Sequence, residues 1–229
     1  MFIPLHDSVA LKHMRRAKAT TLLLAVTVFL HLVIASEIFG PRGRIDLGFG
    51  LIPSVLFGSA ILGPDVFHAP AWLTPVTSVF IHGSFWHLAG NMLFLWVFGD
   101  NVEDAMGHWQ FAIFYILCGA AAGLAFALLY PASQSSLIGA SGAISGVAVA
   151  YLLMYPKARI VGLLFNILPV SISAATILGL WIAYQVLSAL LIQESVVGWW
   201  AHVGGIVAGA LLLGAFKRRE VPLFGNRTE

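Results

Sequence analysis

The chain has 229 residues, 59% of them hydrophobic and only 10% charged, with a formal net charge of +2. Soluble domains carry about 25% charged residues, so water is excluded as the main solvent of so apolar a surface and lipid is expected instead. The basic residues sit at the two ends and in one short loop, not along a groove-sized face, which argues against nucleic-acid binding; the single Cys118 rules out an internal disulfide.

The first expected helix covers residues 19–36, after Lys12, Arg15, Arg16 and Lys18. It is longer than the apolar core of a usual signal peptide and is read as retained. Residues 39–84 are apolar but interrupted by Pro53, Pro64, Pro70 and Pro75. Those prolines break any helix of membrane length, so an interfacial or partly embedded loop is expected there rather than another crossing. Five further helices are expected at 85–102, 109–130, 141–155, 171–192 and 199–216, separated by Gly107, Pro131, Pro156, Pro169 and Glu194. The fold class is therefore an all-α membrane protein with six transmembrane helices and an embedded loop between the first two. Residues 1–18 form a cytoplasmic N-terminal segment, 19–216 the membrane domain and 217–229 a cytoplasmic tail.

Six crossings put both termini on one side. That side holds the N-terminal cluster, Lys157 and Arg159, and Lys217, Arg218 and Arg219, against only Arg42 and Arg44 on the other. By the excess of positive charge on cytoplasmic loops, both termini are cytoplasmic. The second, fourth and sixth helices then all start at the outer face.

Polar residues inside apolar spans are expensive and call for a reason. His87 and Asn91 share one face of the second helix. Ser141 opens the fourth helix after Gly139, and His202 lies near the start of the sixth. These groups occur at similar depth and can converge if the three helices are neighbours. A serine needs a base to become a nucleophile, and His202 can take its proton and later protonate a leaving amine. No acidic residue lies at this depth, which predicts a Ser–His dyad without a carboxylate. The Ser141 backbone N–H, Asn91 and His87 are the candidate donors to an oxyanion. The fourth helix, at about 24 Å for its expected length, is shorter than a hydrocarbon layer of about 30 Å, which places Ser141 in a water-holding hollow. Gly142 and Gly146 face the same way on the fourth helix, as do Gly205 and Gly209 on the sixth, which allows their backbones to approach. His31 and His108 read as buried, hydrogen-bonded histidines, and Glu103 as a group that satisfies loop amides.

Over residues 72–209 the chain resembles the rhomboid intramembrane serine proteases. The resemblance rests on His82, His87 and Asn91, on Glu103 and Gly107, on Gly139, Ser141 and Gly142, and on His202, Gly205 and Gly209 in order and rough spacing. It implies a rhomboid-like bundle in which Ser141 is the nucleophile, His202 the base, and His87 and Asn91 the oxyanion helpers. It also implies an embedded first loop, and a substrate gate and cap at the fifth helix and the loop before the sixth. Many members carry an aromatic residue four positions after the nucleophile, stacked on the histidine. Here Ser145 stands there, so a hydrogen bond from Ser145 or another aromatic is expected to hold His202.

The implied partners are transmembrane protein substrates and the bilayer, with no nucleic acid, no metal and no cofactor. Substrates are expected to be single-span proteins with small residues and weak helix near the cut. The expected location is a prokaryotic plasma (inner) membrane. The alternatives are an inactive rhomboid relative that binds membrane clients, against which stand both Ser141 and His202, and a small-solute transporter, against which stands the lack of a charged residue at mid-membrane.

Overall fold

The computed structural model describes residues 2–165, 167–192 and 198–225. Six long helices form the bundle: α1 (Lys18–Ala35), α5 (Phe85–Met106), α6 (His108–Leu129), α7 (Ser141–Met154), α8 (Ala174–Leu191) and α9 (Trp199–Phe216). Among the described residues, α1, α6, α8 and α9 are each long and apolar enough to cross a membrane. α5 has 22 residues but ends in Asp100, Glu103 and Asp104, and α7 has only 14. Bounds agree with the sequence reading to within a few residues, except that α5 runs one turn longer and α8 starts later. The expected break at Glu194 and the cap expected before the sixth helix fall on residues 193–197, outside the described residues.

Local chemistry accounts for the helix ends. Ser84, in extended conformation, accepts a hydrogen bond from the His87 N–H at 3.1 Å and starts α5. Gly107, with φ +104°, ends α5 and begins α6 in a single left-handed residue. Pro156 follows α7, and Ser173 caps α8 by accepting from Thr176 N–H at 3.2 Å.

Between α1 and α5 the chain forms only short pieces: α2 (Arg42–Phe49), α3 (Pro53–Leu56), α4 (Thr74–Thr77) and 3-10 turns at Ala71–Leu73 and Ser78–Phe80. Pro53 and Pro75 stand in the first turns of α3 and α4, where a missing N–H is harmless. The segment seats itself on the glycines of α6. A Cβ on Gly119 would lie 2.6 Å from Val79, and one on Gly123 would lie 3.1 Å from Leu51. Leu51 also exchanges backbone hydrogen bonds with Leu137, just before α7.

A three-stranded antiparallel sheet, which the all-α expectation did not include, covers one end of the bundle. β1 (Phe2–Asp7) pairs with β2 (Arg159–Leu164), which pairs with β3 (Leu168–Ser173). β3 takes the residues expected to begin the fifth helix, because Pro169 and the alternating Val170 and Ile172 suit an edge strand. Both chain ends meet this end of the helices: the N–H groups of Lys12, His13 and Met14 donate to Asp104, and Arg218 N–H donates to the Ala105 carbonyl. Glu103, wholly buried, accepts from the N–H groups of Ala19 and Thr20 in the first turn of α1 and pairs with His108. His31, also buried, faces the Arg42 guanidinium at 3.3 Å.

Candidate active site

The turn into α7 brings the site together. Gly139 adopts φ +121°, a region L side chains rarely enter, and a Cβ there would stand 2.7 Å from the His87 ring. Its N–H donates to the Ser78 carbonyl at 2.9 Å, and the next N–H, of Ala140, points to His82 Nε2 at 3.4 Å. The embedded segment and the start of α5 thus hold the backbone that presents Ser141.

Ser141 Oγ lies 2.8 Å from His202 Nε2. The two helices that carry them touch along glycines. A Cβ on Gly205 would come within 2.0 Å of the Gly142 carbonyl oxygen, and one on Gly209 within 2.5 Å of Gly146 Cα. Gly142 and Gly146 in turn abut Ala122 and Cys118 of α6. α7 is therefore enclosed by neighbours with little side-chain bulk between, which is how small residues draw membrane helices together.

Of the two contacts the sequence offered for His202, a hydrogen bond from Ser145 or another aromatic, the first is not made and the second is. The Ser145 hydroxyl donates to the Ser141 carbonyl at 2.7 Å, within its own helix, and does not reach the imidazole. Two other groups contact the ring. Trp199 meets it in an edge-on arrangement, centroids 5.9 Å apart, which provides the alternative aromatic contact. Gln185 of α8 places Oε1 2.6 Å from Nδ1. The sequence reading passed over Gln185. The signal was present, since an amide stands inside an apolar span there, but which helix it would face was not.

Asn91 is buried, and its amide nitrogen has no hydrogen-bond partner. That nitrogen lies beside the Gly139 turn, 3.8 Å from the position of a Cβ there. A buried, unmade donor costs about 1–3 kcal/mol, so its retention points to a use. A cavity of about 530 Å³ opens over these groups, lined by His87, Gly139, Ser141 and His202 together with small residues such as Ala122 and Gly198. Ser141, His202, His87, Asn91, Gly139, Gly142, Gly205 and Gly209 thus gather in one region. Among the described residues, no group of three His, Cys, Asp or Glu side chains is placed to hold a metal ion.

The sequence model of the family described as Rhomboid domain matches residues 69–219, well over half of the chain. The chain belongs to the rhomboid family. This rhomboid is 35% identical over 146 residues to Rhomboid protein 1, mitochondrial, of Saccharomyces cerevisiae, covering 59% of this chain and 39% of that one. It is 31% identical over 145 residues to Rhomboid protease AarA of Providencia stuartii (57% and 48%). It is 28% identical over 156 residues to Rhomboid protease GluP of Bacillus subtilis (68% and 28%). In each case the match spans less than half of the relative's own length.

Proposed function

We propose that this rhomboid is a serine endopeptidase that cuts transmembrane proteins within or near the bilayer, with Ser141 as nucleophile and His202 as base. The observation that carries the reading is the 2.8 Å contact between Ser141 Oγ and His202 Nε2, at the floor of a cavity. Two of its relatives are named as proteases, which agrees with this chemistry.

His202 Nε2 takes the hydroxyl proton as Oγ attacks the scissile carbonyl. The oxyanion that forms is met by the Asn91 amide, by His87 and by the Ser141 N–H at the positive end of α7, where backbone donors lack intrahelical partners. His202 then gives its proton to the leaving amine. A water in the cavity hydrolyses the acyl-enzyme by the same steps in reverse. Single-span substrates with glycine or small residues near the cut suit the site, since unwinding such a helix costs less. Both termini lie on the Lys- and Arg-rich, cytoplasmic-type side. The relatives include a protein named as mitochondrial as well as proteins of two bacteria, so they do not favour the prokaryotic plasma membrane expected from the sequence.

The deciding experiment uses purified protein in detergent. A fluorophosphonate probe should label the native chain and not Ser141→Ala, and only the native chain should cleave a reconstituted single-span substrate. Cleavage by Ser141→Ala at the native rate would overturn the proposal. A native chain that binds such a substrate without cutting it would favour the client-binding alternative.

A further inference from the structure

We infer that Gln185 is the positioning residue for the base: its side-chain carbonyl holds His202 in the one tautomer able to accept the Ser141 proton. The inference rests on the Ser141–His202 reading above.

α8 turns large apolar side chains outward, with Leu180, Tyr184, Leu187, Leu190 and Leu191 all exposed. Gln185 is the exception, 4% exposed and turned inward on the face shared with Leu178 and Ser188. Placing an amide in an apolar interior is unfavourable unless it is hydrogen-bonded. The bond at 2.6 Å to His202 Nδ1 is what makes the position tenable. Next to it, Tyr184 meets Trp199 edge-on with centroids 5.5 Å apart. Two adjacent residues of α8 thus register against the first turns of α9.

The chemistry follows from donor and acceptor counts. A neutral imidazole carries one N–H. A carbonyl oxygen only accepts, so Gln185 Oε1 requires the proton on Nδ1. Nε2 is then left with a lone pair, 2.8 Å from the Ser141 hydroxyl. In the other tautomer Nε2–H would face Ser141 Oγ, and the hydroxyl proton would have no acceptor. When the serine proton moves to Nε2, the Nδ1–H···O bond becomes charge-assisted and strengthens as charge develops. A carboxylate performs the same orienting task in serine triads, where its neutral isostere selects the wrong tautomer and slows the reaction about 10⁴-fold. Here a neutral carbonyl does it. Neither of the other neighbours can substitute. The Trp199 contact fixes the ring plane and not the proton, and the Ser145 hydroxyl is committed to the Ser141 carbonyl.

The test reads the tautomer directly. In protein carrying 15N-histidine, the His202 ring signals are assigned by their loss in His202→Ala. The native chain should show the Nδ1–H form. Gln185→Leu, similar in volume but without an acceptor, should populate the Nε2–H form and lower kcat by about 10–100-fold with KM within about twofold. Gln185→Glu, which keeps an oxygen at the same reach, should retain the Nδ1–H form and recover most of the rate. An Nε2–H form in the native chain would overturn the inference, as it would mean that the amide donates to Nδ1. So would a Gln185→Leu protein with unchanged tautomer and kcat. The native-chain spectrum needs no variant to fold. If the tautomer responds as expected in a chain that fails to react with fluorophosphonate, the positioning role stands and the protease reading falls.

Discussion

Gly205 rests directly on the carbonyl oxygen of Gly142, with no room for a methyl group between them. Gly142 follows Ser141 and Gly205 lies one turn beyond His202, so this single backbone contact sets how closely hydroxyl and imidazole approach.

Gly205→Ala should therefore separate α7 from α9. The expected result is a loss of about 1–3 kcal/mol from overpacking, with at least a tenfold fall in substrate cleavage. Gly214→Ala is the matched control. Nothing lies within 4 Å of a Cβ at Gly214, so that change should leave activity intact and stabilise α9 slightly. Thermal melts and cleavage rates of the two variants make the comparison.

Asn91→Ala should reduce kcat by about 10²–10³-fold, the usual effect of losing one oxyanion donor. The melting temperature should change little by comparison, because the amide nitrogen has no partner to lose. Ser145→Ala removes a hydroxyl that bonds only to its own helix backbone. It should leave kcat within about threefold, since such back-bonding contributes little to helix stability.

Glu103→Ala tests the far end of the bundle. The carboxylate receives the Ala19 and Thr20 N–H groups at 2.9 and 2.7 Å and caps α1. Its removal leaves buried donors unmade and should destabilise the protein by about 2–3 kcal/mol. The residual folded protein should still react with a fluorophosphonate, because Ser141 and His202 sit at the other end of their helices.

Asp7 gives a pH dependence. Burial pushes its carboxyl above the ordinary range, against hydrogen bonds from Tyr151 and the Val9 N–H that pull it down. The folded state therefore holds this proton to higher pH than the unfolded chain does. Stability contributed at this position is present at low pH and is lost as pH rises through the folded-state value. The difference in melting temperature between the native chain and Asp7→Asn should move in favour of the native chain on going from pH 7 to pH 5. A difference that stays constant would count against a perturbed Asp7.

Much of the membrane architecture was legible because it follows from local properties. Four of the six apolar helices have the length and composition a hydrocarbon layer requires, and helix ends are marked by glycine, proline and capping serines. The sheet was not legible. β2, the central strand, and β3, an edge strand, are interrupted by Gly162 and Pro169, and what stabilises them is pairing with each other and, for β2, with β1 at the far N-terminus. Glu103 was legible as an acceptor for backbone amides, but that those amides open α1, at Ala19 84 residues away, was not.

For the site, the sequence by itself determined the inventory: a hydroxyl, an imidazole and an amide near the starts of three spans, where lipid makes polar groups too costly to keep without a use. Only the tertiary structure decided that Ser141 and His202, 61 residues apart, meet at hydrogen-bonding distance, and that Gln185 rather than Ser145 holds the base. The physical reason is that composition and spacing specify which face of a helix a side chain occupies. The rotation and depth of one helix against the next depend on how glycine surfaces pack, and that is settled only when all the helices are in place.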